Sequence, residues 1–236
     1  MKKTALLILT LILMGITQLS AQLTITPLKP IPGDVITIKY TPPANVFKET
    51  DAIQCEARKW GMYEDDIVFE SATQNKQIDI KLIKNGKGYE GTIATDSLTR
   101  AVTFNFTSGT VNWEMQDRKL VLTSGKVDIN DSVGYVTPLY TREGIEYSYS
   151  NYFLGKYLGE WYYNNLGLSN KKKATEYFRM ELEIYPDAFN RVIEHLSVAM
   201  KASDPAGYNA FVTNELNKLF ERGLKSETDY RIVSIL

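Results

Sequence analysis

Residues 170–186 read NKKKATEYFRMELEIYP, and this stretch decides how the second half of the chain is understood. Ala174 and Phe178 stand one helical turn apart on one face. Tyr177 and Leu182 widen that apolar stripe, while Lys171, Lys172, Lys173, Glu176, Arg179 and Glu183 fall on the side expected to meet water. Pro186 ends the helix, because it disfavours helical backbone at Tyr185 and supplies no N–H donor. The small side chain at Ala174 lets another helix come close. A stripe of this kind cannot bury itself, so neighbouring helices are expected on both sides. The stretch carries no chemistry of its own.

Moving outward, helical spacing continues in both directions. A first helix is expected over 152–166, with Phe153, Tyr157 and Trp161 recurring every fourth residue. A third is expected over 188–201, with Val192, Leu196 and Ala199 on one face. Asp204-Pro205 reads as N-cap and first-turn proline of a fourth helix that runs to Arg222 before Gly223. Ser226 to Asp229 opens a fifth in the manner of a capping box. Ala174, Phe178 and Pro186 occupy the places of the small residue, the aromatic and the terminating proline in a tetratricopeptide repeat. Residues 145–236 are therefore expected to form an all-α, tetratricopeptide-like helical domain. The match is uneven, since Tyr162 and Tyr163 stand where the preceding helix should carry a small residue.

Upstream, the apolar period is two rather than 3.6. Residues 22–141 read as an all-β, immunoglobulin-like sandwich, joined to the helices at Thr141-Arg142-Glu143-Gly144. Strands are expected over 23–28, 35–40, 52–60, 66–70, 101–106, 111–115, 120–123 and 135–140. Two more, over 77–84 and 88–95, flank the hairpin signal Asn85-Gly86-Lys87. Cys55 is the chain's single cysteine, so packing rather than a disulfide must hold this unit.

Residues 1–21 read as a signal peptide. Lys2 and Lys3 precede an apolar run from Ala5 to Ile16, and Leu19-Ser20-Ala21 offers a cleavage site before Gln22. The expectation is an exported protein, periplasmic or secreted, that touches membrane only through an uncleaved signal. Removing the signal leaves 25 basic and 28 acidic side chains, a net charge of −3. Such a balance gives no footprint for nucleic acid.

Few residues suggest catalysis, and no cofactor motif is present. Cys55 alternates with Ile53 and Ala57 and reads as a small buried hydrophobe, with a reactive thiol as the alternative. His195, the only histidine, has no partner of the H-x-x-x-H kind. The segment Asp128-Ile129-Asn130-Asp131-Ser132-Val133-Gly134 spaces oxygens as a calcium loop does, which makes Asp128, Asn130 and Asp131 a weak metal candidate beside a plain polar turn. Glu64, Asp65 and Asp66 are paired-acid candidates or a solvated loop. Aromatics crowd the joint. Tyr149, Tyr152, Tyr157, Trp161 and Tyr162 are candidates for a partner-protein surface, for a glycan platform over 147–163, or for packing between the two halves.

The order of elements resembles a known family. A P-x-x-G-D turn (Pro30, Gly33, Asp34) opens the sandwich, and a D-x-N-x-x-x-G-Y segment (Asp128, Asn130, Gly134, Tyr135) precedes the helices. The arrangement is similar to the N-terminal region of exported bacterial thioredoxin-like proteins, in which such domains precede a thioredoxin fold. The resemblance implies a periplasmic accessory role. This chain stops where the thioredoxin domain would begin, so no catalytic residue carries over. The expected function is a non-enzymatic protein-interaction module with an unidentified protein partner. The alternatives are a truncated thiol–disulfide oxidoreductase and a glycan-binding protein.

Overall fold

The computed structural model describes residues 22–63, 75–116, 119–129, 134–161 and 170–236, without the side chains at 22, 115, 119, 120, 160 and 161. The signal-peptide reading of 1–21, the strand expected over 66–70 and the acids Glu64 to Asp66 lie outside the described residues. In the described β region, alternation of apolar and polar residues produces nine strands. They are β1 (Gln22–Thr26), β2 (Val35–Thr41), β3 (Ile53–Gly61), β4 (Asn75–Ile80), β5 (Ile83–Asn85), β6 (Gly88–Ala94), β7 (Thr99–Gln116), β8 (Lys119–Asp128) and β9 (Tyr135–Pro138).

The strands form two antiparallel sheets. One has the order β1-β2-β6-β5, the other β4-β3-β7-β8, with β9 also pairing to β7. Their facing sides share a core in which Ile36, Ile38, Tyr40 and Ile93 meet Cys55, Ala57, Phe104 and Phe106. The single strand expected over 77–84 is in fact two, because the chain leaves β4 in one sheet and enters β5 in the other. The strands expected over 101–106 and 111–115 are instead one long strand, β7. Its pairing with β8 slips between Ser108 and Asn112. Gly125 sits opposite that bulge at φ +76°, where a side chain would meet the Thr110 and Val111 backbone within about 3 Å.

β7 is buried on both faces over 101–106. Val102, Phe104 and Phe106 point to the first sheet, as their alternation predicts. Ala101, with Trp60 of β3, belongs to a second core built with the helices. Thr103 accepts the Trp60 indole N–H at 3.0 Å, and Asn105 accepts from Tyr157. This second face is legible only in hindsight, since small and polar residues fill it.

The helical region corrects the expected fold class. Five α-helices follow the sheets in the described chain, namely α1 (Ser150–Lys156), α2 (Lys171–Ile184), α3 (Phe189–Ser203), α4 (Pro205–Arg222) and α5 (Glu227–Ile235). The fold is mixed, two antiparallel sheets followed by a few helices, and not a sandwich joined to a tetratricopeptide-like all-α domain. The physical reason lies in α1. It is short, gives way to a π-helical turn at Tyr157–Trp161, and shares its aromatics between the sheet on one side and the next helix on the other. Tyr152, Phe153, Tyr157, Trp60 and Ala101 share one hydrophobic cluster with Ala174 and Phe178.

α2 packs against this layer through small residues. A side chain at Gly155 would come within 2.6 Å of the Phe178 ring, and one at Gly159 within 3.1 Å of Ala174 Cβ. The small residues that the repeat pattern demanded of the first helix are thus glycines at different positions. α3 to α5 start and stop close to the expected places. Asp204 accepts from Gly207 N–H at 2.9 Å, Ser226 and Asp229 form a capping box, and Gly223 follows α4. A smaller cluster of Ile193, Leu219 and Ile232 ties α3, α4 and α5 together. Among the described residues no helix is long and apolar enough to cross a membrane.

Candidate functional site

The acidic and histidine side chains are placed first by what they hold together. Glu181, on the same face of α2 as Ala174 and Phe178, is fully buried. Its carboxylate accepts the backbone N–H groups of Tyr149 at 2.6 Å, Asn151 at 3.1 Å and Tyr152 at 3.3 Å. These are donors that the start of α1 would otherwise leave unmade. Tyr149 adopts the left-handed region, φ 68°, to enter this turn. Burial raises the Glu181 carboxyl above its ordinary range, against the three N–H bonds that favour the ionised form, and nearby Glu146 adds to the rise. Asn151 donates to Glu146 at 2.6 Å and completes the network. No sequence motif marks Glu181. The available signal was its spacing, seven residues after Ala174 and three after Phe178.

His195 is buried on α3. Its Nε2 lies 3.3 Å from the Tyr152 hydroxyl, and its ring stacks near Phe178 with centroids 6.1 Å apart. Asp128 is buried too, and one carboxylate oxygen accepts from Tyr40 at 2.6 Å and from Tyr135 at 2.8 Å. Asn130 and Asp131 lie outside the described residues. Among the described residues no group of three or more His, Cys, Asp or Glu could hold a metal. Cys55 is buried between the sheets, and burial, with the Glu56 charge, pushes its thiol up to about 12.

The aromatic candidates divide. Tyr152 and Tyr157 have no exposed surface, so both serve as core rather than as a docking face. Tyr149 is half-buried with the Arg191 guanidinium 4.9 Å from its ring centre. Tyr162 and the Trp161 side chain lie outside the described residues.

A cleft on the outer face of the second sheet brings together side chains that no sequence motif linked. Its volume is about 840 Å³, within the ~300–1,000 Å³ of ligand clefts. The pleat sets its lining, because register places Gln54 opposite Thr107 and Glu56 opposite both Asn105 and Asp79. The bulge residues Gly109, Thr110 and Val111 wall one end. Glu56 is tied to Arg58 at 2.8 Å, and Gln77 donates to Glu56 at 2.6 Å while accepting from Arg58 at 2.8 Å. Asn105, 6 % exposed, accepts from Tyr157 at 3.1 Å, which leaves its buried side-chain N–H₂ without a partner. The cleft offers amide, hydroxyl and carboxylate groups, a set suited to recognition by hydrogen bonds and charge.

A shallower cleft of about 520 Å³ is lined by Thr141, Arg142, Glu143, Tyr147, Ser148 and Tyr185. The Arg100 guanidinium lies 4.4 Å from the Tyr147 ring centre beside it. No protein-family model matches the chain, and comparisons with curated proteins and with solved structures find no match.

Proposed function

We propose that the protein is an exported, non-enzymatic interaction module that docks another protein. One observation carries the reading. Glu181, His195, Asp128 and Cys55 are all buried in the fold, the first three hydrogen-bonded within it, whereas the cleft of about 840 Å³ on the second sheet presents amides, hydroxyls, carboxylates and a guanidinium. Such a lining suits recognition of a partner's polar groups by hydrogen bonds and charge. The buried thiol of Cys55, titrating far above neutrality, speaks against a redox use of this residue.

The test is photo-crosslinking in the exporting cell. A photoreactive residue is placed singly at Gln54 or Thr110 near the cleft, and at Phe220 or Tyr230 on the helices. The expected result is a discrete adduct with one protein from at least one position. Absence of an adduct from all four positions overturns the reading.

The glycan alternative has support of its own, moved from Trp161 and Tyr162 to the shallower cleft. There, half-buried Tyr147 and Tyr185 stand beside Arg142 and Glu143, and an aromatic face with planar polar neighbours suits a sugar ring. Glycan-array binding that disappears in Tyr147→Ala supports it. Binding that persists in that variant excludes this platform.

A further inference from the structure

We propose that the outer edge of β8 pairs antiparallel with the same edge of a second copy of this chain, joining two projecting ribbons into one four-stranded sheet centred on Val121. The inference goes beyond the docking reading above and does not depend on it.

The ribbon is the part of the second sheet that outgrows its neighbours. β3 accompanies β7 only as far as Ser108. Beyond it, Asn112 to Gln116 pair with β8 alone, over Lys119 to Ser124. Gly109 (φ 72°) and Gly125 (φ 76°) mark the base, where the pairing slips. None of the described residues over 109–124 joins a hydrophobic cluster, although Trp113 and Leu122 stand opposite each other there. A lone two-stranded ribbon is marginal in water, whereas a wider sheet with an apolar face holds.

β8 is an edge strand, so its outward N–H and C=O groups face no further strand among the described residues. Only another extended backbone answers a row of such groups. Edges are usually blunted by charge or proline, yet Leu120-Val121-Leu122-Thr123-Ser124 carries neither. The lysine that follows, Lys126, is tied back to Asp51. The edge also fits itself. With the two-fold axis at Val121, Leu120 meets Leu122 of the second copy, Val121 meets Val121, and Lys119 meets Thr123, so no like charges face each other. Moving the axis one residue either way sets a leucine opposite a polar residue. The antiparallel sense carries the two bodies to opposite ends. A net charge of −3 after removal of the signal opposes their approach only weakly. Residues 119–123 alone make a small interface, so the dimer is a weak one.

The experiment is sedimentation velocity on the mature chain, from Gln22, across the micromolar range. The weight-average mass is expected to rise from monomer towards dimer. Val121 is 39 % exposed, so Val121→Glu keeps the fold. By facing two carboxylates across the axis it is expected to weaken the dimer about tenfold. Mixing Val121→Glu with Val121→Lys is expected to restore a mixed dimer, because opposite charges then meet at the axis. Thr92→Glu, exposed on the first sheet, is expected to leave the wild-type dimer unchanged. A wild-type mass that stays monomeric through the whole range, a dimer indifferent to Val121→Glu, or a mixture that stays monomeric overturns the proposal. Adducts at Gln54 or Tyr230 bear on the docking reading alone, so the two readings fail separately.

Discussion

Helices α2 and α4 look alike in sequence and behave differently in the fold. Both are amphipathic, and α4 is longer, 18 residues against 14. Yet α2 buries Ala174, Thr175, Phe178 and Glu181, while α4 buries only Leu219 and leaves Phe220 57 % exposed. The difference comes from neighbours. α2 lies between α1, which rests on the sheet, and α3, so its stripe meets packed surface on both sides. α4 leans on α3 and meets α5 through a small cluster, an Arg222–Asp229 ion pair and a hydrogen bond from the Tyr208 hydroxyl to the Leu236 carbonyl. Periodicity thus tells which face of a helix is apolar, and the number of layers beneath it decides how much that face contributes.

The contrast can be tested from its strongest consequence downward. Phe178→Ala is expected to cost about 3–5 kcal/mol, since it empties a fully enclosed aromatic site. Because sheet and helices share that core, circular dichroism and tryptophan fluorescence should report loss of structure at one lowered midpoint. Separate midpoints would break the claim of a shared core.

Glu181→Ala is expected to cost roughly 3 kcal/mol by leaving three N–H donors unmet. The wild-type chain also carries a pH signature here. Burial holds the folded carboxyl above its unfolded value, so the folded state binds the proton more tightly. That contribution is complete below the ordinary carboxylate pKa and is lost as pH rises through the raised value. Denaturant midpoints of the wild type should fall across this window, and those of Glu181→Ala should fall less.

In the outer layer, Leu219→Ala is expected to cost about 2 kcal/mol, at the lower end for a buried leucine. Hydrogen exchange should quicken in α4 and α5 and stay unchanged in β3 and β7. Ser226→Ala removes the cap of α5 and should cost about 1 kcal/mol, confined to that helix. Protection lost in the sheet after either change would mean that the two layers are not graded as described.

Much of this architecture could be read from spacing, and its failures have physical causes. The hairpin at Asn85-Gly86-Lys87, the proline stop at Pro186 and the caps at Asp204 and Ser226 act through local backbone chemistry, so their sequence signals are direct. The repeat-like domain failed because Phe153 and Tyr157 announce an apolar face without saying what covers it, and a sheet does. The strand break at Lys81 and Leu82 was hidden because Ile78, Ile80 and Leu82 alternate straight through the change of sheet. The cleft was invisible for a related reason. Glu56, Asp79 and Asn105 are 23 or more positions apart and meet only through strand register. Asp128 reads as a metal ligand in its local segment, because the tyrosines that occupy its carboxylate lie 88 and 7 residues away.

The double burial of β7 has a consequence for how the molecule is made. Every strand among the described residues has been synthesised by Pro138, yet the covering side chains Phe178, Val192 and Leu196 emerge up to 58 residues later. At ~5–20 residues per second, the finished sheet waits roughly 3–12 s for the last part of its roof. During that interval the nascent chain presents a finished sheet with a greasy back, and a holding chaperone that recognises such a surface would find its natural client there.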